Sequence, residues 1–546
     1  MTDAEDRKPQ SDEARMAFMP PAGVEVGDGE SETTSEFALP QGLDAPHGPP
    51  ADSEGSAFTP PTAYSARQAP AAFTPPTGIP VVSLPKDVPW QDRMRTMLRM
   101  PVADRPAPER APKTEEEEGP AVPRVLDLTL RIGELLLAGG EGAEDVEAAM
   151  FAVCRSYGLD RCEPNVTFTL LSISYQPSLV DDPVTASRTV RRRGTDYTRL
   201  AAVFRLVDDL SDPESQISLE EAYRRLAEIR RNRHPYSGWV LTSASGLLAG
   251  AASVLVGGGV LVFFAAALGA MLGDRLAWLC AGRGLPEFYQ FTAAAMPPAA
   301  IGVALTVAHV DVKASAVITG GLFALLPGRA LVAGVQDGLT GFYITASARL
   351  LEVMYFFVGI VVGVLLVLYF GVKLGAELNP DAALSIEPRP LLQIGASMLL
   401  SLTFAVLLQQ ERSTVLWVTL NGGVAWSVYG AMHYVGEISP VASTAVAAGL
   451  VGLFGQLLSR YRFASALPYT TAAIGPLLPG SATYFGLLNI AQNEVDNGLV
   501  SLATAASLAM AIAIGVNLGS EISRLFLRIP VGAGGGRKAA KRTRGF

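Results

Sequence analysis

The sequence predicts a polytopic α-helical membrane protein. About ten transmembrane helices form two inverted five-helix repeats, preceded by a small cytosolic α/β domain and a disordered tail. Three observations predict this. The 546 residues are 49% hydrophobic and 17% charged, whereas soluble domains carry about 25% charged residues. The apolar residues crowd into positions 237–530. That region also resembles itself after a shift of 152 residues.

The first element is the tail, residues 1–123. It carries 21 acidic and 11 basic residues and 21 of the 38 prolines. Such a segment buries too little apolar surface to offset its ordering entropy, so it reads as disordered. Its opening, MTDAEDRKPQ, lacks the basic start and apolar run of a secretory signal. AFTPPT occurs at 57–62 and again at 72–77, which reads as a spacer or a proline-rich docking motif. Near 89–100 the pattern changes. Trp90, Met94, Met97 and Leu98 share one helical face, with Arg93, Arg95 and Arg99 beside it. This helix suits either an anionic leaflet or the protein's own cytosolic domain. The tail holds a net charge of −10 out of −9 for the whole chain, leaving the rest near neutral. A basic nucleic-acid-binding face is therefore disfavoured.

Residues 124–236 read as the cytosolic α/β domain. Val125–Ala138 has helical apolar spacing and stops at Gly139-Gly140. Glu144–Tyr157 is a second helix, closed by Gly158. Asn165–Gln176, rich in β-branched and aromatic residues, reads as one strand, with Thr185–Arg193 as its partner. Helices over Asp196–Leu210 and Leu219–Arg233 follow, the second opened by a Ser218-x-x-Glu221 capping pattern.

Ten apolar segments come next, near 239–256, 259–281, 290–308, 314–336, 350–372, 391–409, 414–432, 439–458, 466–490 and 499–522. Each approaches the ~20 residues that a hydrocarbon slab of about 30 Å requires. They divide into repeats at 237–375 and 390–525, followed by a basic cytosolic C-terminal tail at 526–546. Arg224, Arg225, Arg230, Arg231 and Arg233 precede the first span, and Arg524, Arg528, Arg537 and Lys538 follow the last. Both termini are thus expected in the cytoplasm of a cell that carries the protein in its plasma (inner) membrane.

The repeat points at a mechanism. Ala314–Gly328 (ASAVITGGLFALLPG) and Ala466–Gly480 (ALPYTTAAIGPLLPG) are identical at six of fifteen positions. An odd number of spans per copy inverts the second copy, an arrangement that recurs in secondary transporters. Pro327-Gly328 and Pro479-Gly480 are expected to interrupt spans four and nine. A broken span offers backbone N–H groups and a positive half-helix end to a carboxylate. Thr319 and Thr471, equivalent in the two copies, are candidates for bonding a substrate hydroxyl, and Asn489 joins them as a binding candidate. Asp337 leads the candidates for a proton or cation site, with Arg329 and Glu494 beside it, because ionisable groups at membrane depth are costly. The alternative for Asp337 is a loop carboxylate at headgroup level. Arg349 and Glu352 have the spacing of a helical ion pair.

Three cysteines and four scattered histidines supply neither a disulfide framework nor a metal cluster, so no metal or cofactor is expected. The expected partners are a small-molecule substrate, protons and the bilayer. A homo-oligomer stays open, and nucleic acid is excluded.

The block Leu136-Leu-Ala-Gly-Gly-Glu-Gly-Ala-Glu-Asp-Val-Glu147, followed by Tyr157-Gly-Leu159, resembles the opening of the threonine/serine exporter family. The two five-span blocks with Leu-Pro-Gly elements resemble its layout, and the long Pro-rich tail that of its actinobacterial branch. The resemblance spans roughly 124–525. It implies an inner-membrane secondary exporter of threonine and serine driven by the proton motive force, and no enzyme. It carries no residue assignments.

Two other functions compete on the residues alone. A membrane-tethered hydrolase would place its chemistry in 124–235, but the one histidine there, His234, lies at the membrane edge. A Ser-His-Asp triad is thus poorly supplied. A channel or scaffold is the third reading.

Overall fold

The computed structural model describes residues 90–98, 122–375, 389–462, 465–491 and 494–526, except 179, 192, 193, 195, 213, 214, 216, 233 and 311. The expectations for most of the tail and for the basic segment beyond 526 lie outside the described residues.

Helix α1 (Trp90–Leu98) buries Trp90, Met94 and Met97. Trp90 stacks 5.7 Å from Phe204, so the amphipathic face packs on the protein itself. Helix α2 (Val122–Ala138) turns its apolar stripe inward and ends where Gly140 takes φ 91. There Glu141 N–H donates to Leu136 O and Gly140 N–H to Leu137 O, the left-handed closure that glycine permits. Helix α3 (Ala143–Ser156) follows after four residues, with Glu144 and Asp145 complementing its positive end.

The run expected as one strand is a hairpin. Strands β1 (Cys162–Thr167) and β2 (Leu170–Tyr175) pair antiparallel, and β3 (Val184–Thr189) completes a β1-β2-β3 sheet. The turn at Phe168 has φ 51 without glycine or asparagine, so local turn chemistry gave no signal. A tertiary contact holds it: Phe168 N–H donates to Thr345 Oγ1 at 3.1 Å. Helix α4 (Tyr197–Ser211) is capped by Asp196 and α5 (Leu219–Arg231) by Ser218. The capping box is only half formed, because Glu221 turns to Arg224 and Arg225 instead.

The remaining helices are α6 (Gly238–Leu255), α7 (Val260–Gly282), α8 (Glu287–Val307), α9 (Ala314–Phe323), α10 (Gly328–Leu339), α11 (Tyr343–Lys373), α12 (Pro390–Leu407), α13 (Arg412–Gly430, continued by a π turn to Val435), α14 (Pro440–Arg462), α15 (Leu467–Thr471), α16 (Gly480–Ala491) and α17 (Val495–Phe526). Seven of them, α6, α7, α8, α11, α12, α14 and α17, are long and apolar enough to cross a membrane. The protein is a polytopic helical membrane protein. Phe264, Leu268, Trp278, Tyr355 and Tyr369 face outward and are exposed, as a lipid-facing surface allows. Small residues bring the helices close. Gly363 meets the carbonyl of Thr292 between α11 and α8, and Gly515 meets that of Ala445 between α17 and α14.

Candidate functional site

The apolar segments 314–336 and 466–490 are both interrupted. Helix α9 stops at Phe323, and α10 restarts at Gly328 after Pro327. Helix α15 stops at Thr471, passes through a 3₁₀ turn at Gly475–Leu477, and α16 restarts at Gly480 after Pro479. The two breaks share one local geometry. Gly328 N–H donates to Leu326 O and Gly480 N–H to Leu478 O, each at 2.8 Å, a three-residue turn centred on proline.

The breaks also touch. A Cβ on Gly328 would lie 2.5 Å from Leu478 Cδ1, and one on Gly480 would lie 2.7 Å from Leu326 Cδ1. Each glycine is thus the seat of the other break's leucine, and Leu326 and Leu478 are themselves 152 positions apart. Beside this contact Thr319, Leu326, Ile360, Val364, Gly480 and Thr483 line a small cavity of about 20 Å³. That is room for about one water. Thr483 Oγ1 donates to Pro479 O at 2.8 Å. Thr319 Oγ1 is buried and has no hydrogen-bond partner among the described residues.

A second feature lies where α10 ends. Asp337 is buried and pairs with Arg349 of α11 at 3.1 Å. Its Oδ1 accepts from Ala143 N–H at 3.0 Å, so this carboxylate also caps α3. Arg349 in turn donates to Glu141 O at 3.0 Å. Glu141 is buried, and Ser465 Oγ shares its proton between both carboxylate oxygens at 3.2 Å. Burial raises the Glu141 carboxyl to about 7, against the pull of Ser465, Arg95 and Arg349. A chamber of about 320 Å³ opens here, walled by α1, the α2–α3 turn, α10, the α14–α15 turn and α17.

Comparison with known proteins identifies the family. A family profile described as "Putative threonine/serine exporter" matches residues 127–371, and one described as "Threonine/Serine exporter, ThrE" matches 393–522. The chain is 33% identical over 423 residues to the "Probable threonine/serine exporter" of Mycobacterium tuberculosis, covering 76% of this chain and 78% of the relative. It is 30% identical over 417 residues to the "Threonine/serine exporter" of Corynebacterium glutamicum, covering 74% and 84%. The chain belongs to the threonine/serine exporter family. No solved structure matches it. The family is one of transporters, so this member is not an enzyme.

Within this exporter-family chain the candidates from the sequence separate into four places. Pro327, Gly328, Pro479 and Gly480 meet at the paired breaks, with Thr319 beside them. Thr471 is held elsewhere: its hydroxyl accepts from Tyr197 of α4 at 3.4 Å. Asp337 lies with Arg349. Asn489 is half-buried on α16, and its carbonyl accepts Glu494 N–H at 2.8 Å. Glu494 is exposed at the start of α17 and accepts from Asn497. The Arg329 side chain lies outside the described residues. Sequence reasoning missed Glu141, although an acid set between the glycines of a helix-ending turn was a visible signal. Among the described residues no His, Cys, Asp and Glu group is arranged to hold a metal ion.

Proposed function

We propose that the protein is a secondary active transporter that exports threonine and serine across the plasma membrane, driven by the proton motive force. The observation that carries this is the reciprocal seating of Leu478 on Gly328 and Leu326 on Gly480. Two broken helices meeting at equivalent points form the kind of shared midpoint about which two halves exchange access. The substrates come from the names of the two relatives.

The reading counts ten crossings as two inverted sets of five, over 237–375 and 390–525, below a cytosolic domain at 124–236. Several contacts support it. Tyr236, just before α6, donates to Gln410, just after α12, at 2.9 Å. This contact supports opposite directions for the first and sixth crossings. Likewise α10 ends at the chamber where α15 begins. Helix α8 seats Ile318 on Gly302, as α14 seats Thr470 on Gly455. Residues 122–236 dock on the α10–α11, α12–α13 and α14–α15 turns, all on one side. The arginine excess around those turns supports a cytoplasmic position for that side and for both termini.

In this mechanism the half-helix starts at Gly328 and Gly480 receive the substrate carboxylate, and Thr319 bonds its hydroxyl. The buried Asp337, balanced by Arg349, carries the coupling proton. The solute, protons and lipid are the required partners, and a homo-oligomer stays open.

Purified protein in liposomes tests the reading. An imposed pH gradient is expected to drive saturable threonine and serine flux, and Gly328→Leu to stop it. Absence of flux with folded protein overturns the proposal, and unsaturable conductance replaces it with a channel.

A further inference from the structure

The chamber beside Glu141 has the chemistry of a solute site in its own right. Its 320 Å³ corresponds to about ten waters at about 30 Å³ each. That admits an amino acid the size of threonine with part of its hydration. The lining carries both signs of charge, with Arg95 and Arg460 on one hand and Asp92, Glu141, Glu144, Asp145 and Glu521 on the other. A zwitterion needs both.

The two arginines are held in place with one donor to spare. Arg460 binds Asp92 at 2.7 Å through a terminal nitrogen, and Arg95 reaches Asp145 and Asp92 through its own. The Nε–H of each is buried and meets no acceptor among the described residues. A buried donor without an acceptor is costly, and a carboxylate in the chamber satisfies it once the guanidinium turns to face it. Among the described residues Glu141 accepts from a single hydroxyl, Ser465, and an ionised carboxylate has further lone pairs for an ammonium.

We propose that this chamber is a second amino-acid site, filled from the cytoplasm before the paired breaks, in which Arg95 and Arg460 take the solute's carboxylate and Glu141 its ammonium. The proposal rests on the exporter reading and deepens it. Its walls explain why such a site matters. Gln336 and Thr340 come from the end of one broken crossing, and Ser465 and Thr470 from the start of the other. A solute here touches both halves at once. Helix α1 supplies Arg95, which makes the segment near residue 90 part of the transport machinery.

Calorimetric titration of the full-length protein in detergent tests this, with L-threonine and L-threonine amide, whose carboxylate is blocked. Arg95→Gln and Arg460→Gln are each expected to weaken threonine binding about tenfold while leaving the amide nearly unchanged. Glu141→Gln is expected to weaken both ligands. Arg95→Lys, which keeps the charge but removes Nε–H, is expected to fall between wild type and Arg95→Gln. Equal losses for threonine and its amide in the arginine variants overturn the proposal, because damage to the fold predicts that pattern. Wild-type affinity in all three neutral variants overturns it as well. Flux from the same preparations separates the two readings. Carboxylate-dependent binding without flux removes the exporter reading and keeps the site. Flux with unaltered binding removes the site alone.

Discussion

Arg349 reaches Asp337 at 3.1 Å with one terminal nitrogen and the Glu141 carbonyl at 3.0 Å with the other. One guanidinium thereby fastens the end of a broken helix to the turn between α2 and α3. Both side chains are buried, so neither charge has water to fall back on. Removing one partner should leave the other stranded, at a cost of about 3 to 5 kcal/mol. Asp337→Asn is expected to lower the melting temperature sharply and to uncouple flux from the pH gradient. Asp337→Asn combined with Arg349→Met should recover most of the stability and none of the coupling.

The paired breaks predict a rescue. Gly328→Ala places a methyl against Leu478, and overpacking of this kind costs about 1 to 3 kcal/mol. Leu478→Ala in the same chain makes room again. Flux is expected to fall in the single variant and return in part in the double one. The mirrored pair, Gly480→Ala with Leu326→Ala, should behave alike.

Thr319→Val is a sharper probe of the cavity. Its hydroxyl is buried without a partner among the described residues, so an isosteric apolar replacement should leave stability unchanged or raise it by about 1 kcal/mol. Apparent affinity for threonine and serine is expected to drop in a flux titration. An unaltered affinity would take Thr319 out of the path.

Stability should also depend on pH in a defined window. Burial raises the carboxyls of Glu141 and Glu147 from 4.5 to about 7. The folded protein then binds more protons than the unfolded chain between those values, so stability falls as pH rises through them. Each group accounts for up to roughly 3 kcal/mol of that fall. Glu147→Gln and Glu141→Gln should each flatten the dependence of melting temperature between pH 5 and 7. A curve that keeps its slope would contradict the burial of these groups.

Helix α1 makes the last prediction. Trp90 is buried against Phe204, and Trp→Ala changes in such sites cost about 3 to 5 kcal/mol. If that anchor holds α1, Trp90→Ala should speed proteolysis around residues 90–98 without releasing the protein from the membrane.

What the sequence made legible was what local chemistry and hydropathy specify. Pro-Gly pairs inside apolar runs marked both breaks, and glycines marked the ends of α2 and α3. Contacts between distant segments were hidden. Nothing local in TFT at 167–169 announces a turn, because the support for Phe168 comes from Thr345. The choice between lipid and protein for α1 rested on Asp92 meeting Arg460, far along the chain. Thr319 and Thr471 looked equivalent in the repeat, yet Tyr197 claims one of them. Tyr197 belongs to α4, which lies outside the segments that the 152-residue shift relates.

If the two halves part as the proposed mechanism requires, the crossed leucines set a rule for leakage. Each sits on the opposite half's glycine, so parting the halves on one face unseats one leucine and leaves its twin in place. A conduit open to both faces would have to unseat the two together, losing both plugs at once. On the proposed exporter mechanism, the stopper against dissipating an ion gradient would be made from the same four residues about which the halves move.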